Sequence, residues 1–268
     1  VLTRAHAHDL LARHGVRPSK ALGQNFVVDP NTVRRLVRLA GIEMGDHVVE
    51  VGPGLGSLTL ALAAAGAHVT AIELDRHLVP VLDEVLGQAD PPPRVIHADA
   101  LTVDWADLLK GAARWRLVAN LPYNVATPLV LDVLDNVPAI DRMLVMVQRE
   151  VGERLAASPG SKTYGIPSVK VAYWATAEVV GRVSPNVFLP KPRVESAVVR
   201  ITRRPQPATE ADPERLFTLV RAGFGHRRKM LRRSLAGLVD SYAFAQADVS
   251  PEARAEQLSV EEWGRLAQ

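Results

Sequence analysis

His47-Val48-Val49-Glu50-Val51-Gly52-Pro53-Gly54-Leu55-Gly56-Ser57 decides the fold of this chain. A β-rich apolar run ends in a glycine turn, and an apolar segment of helical character, Ser57–Ala65, follows without a linker. Glycines there let the backbone turn sharply and let a ligand come close, and the start of a helix adds a favourable dipole. A dinucleotide fingerprint would carry its third glycine three positions after the second. Here it follows after two and position 57 is Ser, so a nucleoside-like ligand fits better than tight phosphate contact.

Outward from that turn, further β-like runs recur at His68–Leu74, Arg94–Asp99, Arg116–Leu121 and Met143–Gln148, with amphipathic stretches such as Ala126–Leu134 between several of them. This rhythm predicts βαβ units, a parallel sheet with helices on both faces, and hence an α/β fold. Glu73 ends the second run about 20 residues beyond Gly52, where a carboxylate can grip ribose hydroxyls. Asp99 ends the third, where it can accept from an adenine amino group. Each acid alone reads more simply as a strand-end loop residue, yet together with the glycine turn they converge on one crevice. Two later runs, Glu178–Val183 and Glu195–Thr202, flank the Pro-rich Ser184–Arg193 and are expected to form a hairpin at one sheet edge.

Before the sheet, Arg4–His14 is predicted helical, and a second helix starts at Pro30 behind an Asp29 cap. Arg204-Pro205-Gln206-Pro207 is a linker signal, after which the pattern is helical to the end. The expected division is residues 1–204 and a small helical domain, residues 205–268. Of 268 residues 47% are apolar, as in an ordinary globular core, and none is Cys, which removes disulfides, Cys-ligated zinc and a thiol nucleophile. With no apolar leader-like stretch at Val1–Leu11 and no run of spanning length, a soluble, cytoplasmic protein is expected. The net charge is only +3, but Arg221, Arg227, Arg228, Lys229, Arg232 and Arg233 form a block without an acid. Such a block is either a solvated helix face or a contact for a polyanion.

Asn120-Leu121-Pro122-Tyr123 follows the fourth run and places an amide, backbone carbonyls and one aromatic face at a strand end. An exocyclic amino nitrogen is a poor nucleophile because its lone pair is delocalised into the ring. A site that alkylates it gains from acceptors aimed at its two hydrogens. Asn120 and the Leu121 carbonyl can supply both, and Tyr123 can stack on the base. As an isolated tetrapeptide it reads more simply as a strand-end turn with a buried Tyr.

Leu22-Gly23-Gln24-Asn25-Phe26, Glu50–Gly56, Ala71-Ile72-Glu73-Leu74-Asp75 and Asn120–Pro128, in this order and spacing, resemble the ribosomal RNA adenine dimethyltransferases. The likeness runs from about Ala21 through the C-terminal basic stretch and is strongest to the members that act on the small subunit. It implies a Rossmann-like methyltransferase sheet and S-adenosylmethionine as donor, with no metal. It further implies that Asn25 and Val27 close over the donor, Gly52 and Gly54 lie beneath it, Glu73 holds its ribose and Asp99 its adenine. Asn120 then sits near the methionine end. Val27 stands where Leu is frequent in the family.

The same likeness implies N6,N6-dimethylation of two adjacent adenosines in the 3′-terminal hairpin of small-subunit (16S) RNA, coupled to maturation of an immature 30S particle; with no oligomerisation signal in the sequence, a monomer is expected. Phe188, in Phe188-Leu189-Pro190-Lys191-Pro192-Arg193, would pack on the other face of the target adenine. Read by itself it is equally a core residue of the hairpin. Lys191, Arg193, Arg221, Arg227, Arg228, Lys229 and Arg232 are the candidate RNA contacts. The alternatives are a large-subunit adenine methyltransferase of the antibiotic-resistance type, a DNA adenine methyltransferase, or chiefly a non-catalytic assembly factor. An NAD-dependent oxidoreductase is disfavoured by the glycine spacing.

Overall fold

A computed structural model describes all 268 residues. The chain opens with α1 (Arg4–Arg13), the short strand β1 (Phe26–Val27) and α2 (Pro30–Ala40). Pro30 occupies the first turn of α2, and the Asp29 carboxylate accepts from the Thr32 N–H at 2.8 Å. An acceptor there satisfies a donor that no helical carbonyl can reach, which is why the helix starts at this point.

Next come β2 (His47–Val51), α3 (Ser57–Ala64), β3 (His68–Glu73), α4 (Val79–Leu86), β4 (Arg94–His97), α5 (Trp105–Leu108), β5 (Trp115–Asn120), α6 (Ala126–Asn136) and β6 (Ile140–Gln148). After them lie α7 (Arg149–Leu155), α8 (Ile166–Trp174), β7 (Ala175–Val183), β8 (Phe188–Leu189) and β9 (Ser196–Arg203). The chain ends in α9 (Pro213–Gly225), α10 (Leu231–Ser234), α11 (Ser241–Gln246) and α12 (Val260–Ala267). No helix is long and apolar enough to cross a membrane.

The main sheet has the order β4-β3-β2-β5-β6-β9-β7, parallel from β4 to β6, with β9 antiparallel to β6. Val48 and Val49 point to opposite faces of β2 and both are buried, so the sheet is covered on both sides. On one side Val33 and Leu36 of α2 and Leu58 and Leu62 of α3 pack against Val48, Val69, Val118 and Leu144. Each such fully buried side chain contributes roughly 1.5–3 kcal/mol. Strands β3 and β4 lie to one side of β2 while β5 and β6 lie to the other. The order therefore reverses between β2 and β5, and a crevice opens beyond the C-terminal ends of those strands.

The expected hairpin is modified. β7 and β9 are neighbours at the sheet edge, but the segment between them sends β8 away to pair antiparallel with β1, Phe26 opposite Leu189 and Val27 opposite Phe188.

Two compact units result: Val1–Gly152 with Glu178–Thr202, and Glu153–Ala177 with Arg203–Gln268. The helical unit thus takes in a mid-chain segment besides the residues beyond the linker. Tyr164, Val169 and Tyr173 from that segment share one core with Leu216, Val220 and Trp263. The basic stretch within it is not one helix. α9 ends at Gly225, His226 leaves the helical conformation, and Arg227, Arg228 and Lys229 occupy a turn before α10. Leu231 and Leu235 must both reach the core, and the chain turns to place them there.

Candidate active site

The crevice at the strand-order reversal is a cleft of about 1080 Å³ counted out to its open mouth. Its floor is the turn after β2. Gly52 and Gly54 have φ of 71° and 59°, a left-handed backbone that disfavours side chains. A Cβ on Gly54 would also lie 2.7 Å from the Phe26 ring, so the turn and β1 close on each other only with glycine there. Asn25 and Val27, on either side of Phe26, line the same cleft.

The acids stand where the strands deliver them. Glu73, buried at the end of β3, accepts from the Asp75 N–H at 2.8 Å and from the Gly54 N–H at 3.3 Å, one bond to each oxygen. Both oxygens keep a lone pair for a ligand hydroxyl. Burial raises its pKa, and these backbone bonds hold part of that rise back. Asp99 Oδ1 accepts from the Leu101 N–H at 2.9 Å, which leaves Oδ2 to the cleft. Leu74 and Leu101, each following one of these acids, are 49% and 40% exposed and both line the cleft. Both leucines give the cleft exposed apolar surface beside these carboxylates. Sequence reading missed both leucines, although each sits one or two positions beyond an acid it had singled out.

Beneath the floor lies Glu50, 1% exposed. Its Oε2 and the Thr59 hydroxyl have no hydrogen-bond partner. Burial pushes its carboxyl up to about 8; the Thr59 hydroxyl, near but outside bonding geometry, offsets part of that and Glu73 adds to it. Gln24 holds the loop over the cleft, accepting from the Ser19 N–H and donating to Asp75 Oδ2, each at 2.7 Å.

At the far wall the Asn120 amide is oriented by its neighbour. The Asn25 carbonyl can only accept, so Asn120 turns Nδ2 toward it at 2.9 Å and presents Oδ1 as an acceptor. Of the carbonyls in this turn, that of Pro122 is taken by the Val125 and Ala126 N–H groups, whereas that of Leu121 receives no protein donor. The Leu121 N–H is anchored on the Met146 carbonyl at 3.0 Å. Tyr123, half-buried and lining the cleft, shares a hydrogen bond of 3.0 Å with Ser196 Oγ. Two acceptors, an aromatic face and apolar surface with flanking carboxylates thus surround one space. That is the equipment for bringing a nucleoside-bearing group to the amino group of a base.

A family model for ribosomal RNA adenine dimethylases matches residues 16–268. The chain belongs to the ribosomal RNA adenine dimethylase family. The ribosomal RNA small subunit methyltransferase A of Streptomyces coelicolor is 49% identical over 278 residues, covering 100% of this chain and 96% of the relative. That of Kineococcus radiotolerans is 50% identical over 275 residues, covering 100% and 91%. Among solved structures, the 23S rRNA methyltransferase ErmE is 27% identical with a TM-score of 0.70 over 90% of this chain and 97% of that one. A dimethyladenosine transferase from Plasmodium falciparum, 20% identical, shares the fold with a TM-score of 0.74 over 89% and 94%.

Within this adenine dimethylase the remaining candidates divide. Phe188, expected to pack on the target adenine, is 0% exposed: its backbone pairs with Val27 and it belongs to the same core cluster as Val33 and Met146. Neither face of the ring is exposed, and its burial comes from the β1–β8 pairing and not from a β7–β9 hairpin. Lys191 and Arg193, further along the same segment, are exposed. In the helical unit Arg227 is already committed, to the Glu256 carboxylate at 2.6 Å and the Lys162 carbonyl at 2.8 Å. Arg221 donates to the Thr218 hydroxyl at 3.2 Å, and Arg232 lies 3.6 Å from Glu252. Arg228 and Lys229 are exposed on the turn.

Proposed function

We propose that this protein transfers methyl groups from S-adenosylmethionine to N6 of two adjacent adenosines near the 3′ end of small-subunit ribosomal RNA, acting as a monomer on an incompletely assembled subunit. The observation that carries the chemistry is the Asn120 amide, locked by the Asn25 carbonyl so that Oδ1 is an acceptor beside the unpaired Leu121 carbonyl. The choice of small-subunit RNA rests on relatives 46–50% identical along the whole chain, against 27% for the large-subunit enzyme.

The cleft fits the donor. Gly52 and Gly54 leave its floor without side chains, Glu73 offers two acceptors to ribose hydroxyls, and Asp99 with Leu74 and Leu101 offers an acceptor and apolar surface to the adenine. When bound, the donor supplies an electrophilic methyl on a sulfonium. The protein's part is positioning: Asn120 Oδ1 and the Leu121 carbonyl accept the amino hydrogens, drawing the N6 lone pair out of conjugation and stabilising positive charge as it grows. No general base is required, because the methylated ammonium is acidic enough to release its proton to water. Tyr123 provides the stacking face for a base drawn out of its helix or loop.

The test is incubation with undermethylated small subunits, separated large-subunit RNA and labelled donor, followed by mapping of the modified nucleotides. Label at two adjacent adenosines in small-subunit RNA is expected; label confined to large-subunit RNA, or none on adenine, overturns the reading.

A further inference from the structure

Ser196 opens β9 and is 0% exposed, a buried hydroxyl that the chemistry above does not use. Because β9 runs antiparallel to β6, its first residue lies opposite Gln148, at the edge where β6 ends and Tyr123 follows β5. There its Oγ meets the Tyr123 hydroxyl at 3.0 Å, across 73 residues of sequence. The Tyr ring is consequently held at both ends: at its Cα by the turn anchored through the Leu121 N–H, and at its hydroxyl by Ser196. A tyrosine fixed only at Cα swings about two side-chain torsions, and each orientation presents a different plane to the cleft.

We propose that Ser196 is a positioning residue, whose hydroxyl presets the plane of the Tyr123 ring as the stacking face for the target adenine before RNA arrives. This rests on the adenine-N6 reading above and deepens it. Either hydroxyl can donate in this bond; burial raises the Tyr123 pKa above its ordinary value and the Ser196 bond lowers it in part. A stacking face preset in this way spares the ordering cost on binding, so its loss falls on turnover of RNA and not on the donor.

The experiment compares wild type, Ser196→Ala, Tyr123→Phe and the double variant in methyl transfer to undermethylated small subunits, with donor Kd measured separately. Ser196→Ala is expected to lower kcat/KM for RNA about tenfold with donor Kd unchanged, and to add nothing in the Tyr123→Phe background. Wild-type turnover in Ser196→Ala, or effects that multiply in the double variant, overturn the proposal. A second readout needs no activity: 3-fluorotyrosine placed at position 123 should give one 19F resonance in the wild type and a shifted, exchange-averaged one in Ser196→Ala. An unchanged resonance also overturns it. Should wild type transfer no methyl to adenine while the resonance shifts as expected, the adenine-N6 reading falls and the ring-orienting role stands.

Discussion

Asn120 does two jobs with one amide, and they separate on substitution. In the proposed reaction Oδ1 is the acceptor for the incoming amino group, while Nδ2 ties β5 to the Asn25 carbonyl at the cleft rim. Asn120→Ala is expected to lower kcat at least about 100-fold, the scale of losing one preorganised polar group at a reacting centre, while donor Kd changes only a few-fold. Single-turnover methylation beside equilibrium donor binding checks this; an equal loss in both would make the residue a donor ligand only. Glu50 carries a second prediction at this scale. Its ordinary pKa is 4.5 and burial lifts it to about 8. Below the lower value both states hold the proton. Between the two, the native state keeps it and the unfolded chain has lost it, so unfolding releases a proton and native stability falls as pH rises, by up to about 1.4 kcal/mol per pH unit. Above the higher value the penalty is complete. Glu50→Gln should therefore stabilise the protein by about 2 kcal/mol or more at roughly pH 8.5 and hardly at all near pH 4.5, measured by urea unfolding. A gain that does not depend on pH would sink it. That Asn120, Leu121, Glu73 and Asp99 line one cleft was legible because each stands at or just beyond a strand end that periodicity locates. Phe188 was not, since its burial depends on β8 pairing with β1, a pairing 161 residues away in the Val27–Phe188 register that no local pattern records.

At the scale of elements, the short strands of the sheet were readable to within a residue or two at most ends, because alternation and the glycine turn mark them locally. The basic stretch was read at helical density and is instead helix, turn, helix. Gly225 and the departure of His226 from helical backbone end α9, and the demand of Leu231 and Leu235 for the core starts α10. This separates cations that spacing alone had merged. Arg227 is spent on Glu256 and Lys162, whereas Arg228 and Lys229 on the turn and Arg233 on α10 are exposed. Replacing Arg228, Lys229 and Arg233 by Glu should weaken binding to small-subunit RNA and lower the slope of log K against log salt by about one for each phosphate no longer neutralised, with donor binding and melting temperature nearly unchanged. Arg227→Glu should behave differently, since it sets two carboxylates against each other and lowers the melting temperature. Filter binding across a salt series together with thermal unfolding separates the two classes. Undiminished RNA affinity in the triple variant would remove the turn from the interface.

For the molecule as a whole, the decisive fact is that the helical unit is not a contiguous tail. A linker after residue 204 is readable from its prolines, but the recruitment of Glu153–Ala177 is not, because Tyr164, Val169 and Tyr173 are ordinary apolar residues until their partners beyond the intervening strands are known. The bonds tying this segment in are specific: the Tyr164 hydroxyl donates to the Leu258 carbonyl at 2.9 Å, the Gly160 N–H to the Glu256 carbonyl at 2.7 Å, and the Arg204 N–H to the Trp174 carbonyl at 2.8 Å. Residues 205–268 alone would lack all three together with the aromatic packing of Tyr173 on Phe217 and of Tyr164 on Phe224. A chain that short has little core to spare. The isolated 205–268 fragment is therefore expected to be largely unfolded, with weak helical circular dichroism and poor amide dispersion. The Arg204–Trp174 bond also brings the two segments of the unit close at this point. Joining Glu153–Ala177 to Arg203–Gln268 through a few Gly and Ser residues should then restore a cooperative unfolding transition and a dispersed spectrum. If the 205–268 fragment folds cooperatively on its own, the mid-chain segment is an accessory to that core and the sequence boundary is the physical one; if only the joined chain folds, the unit is defined by packing across the insertion.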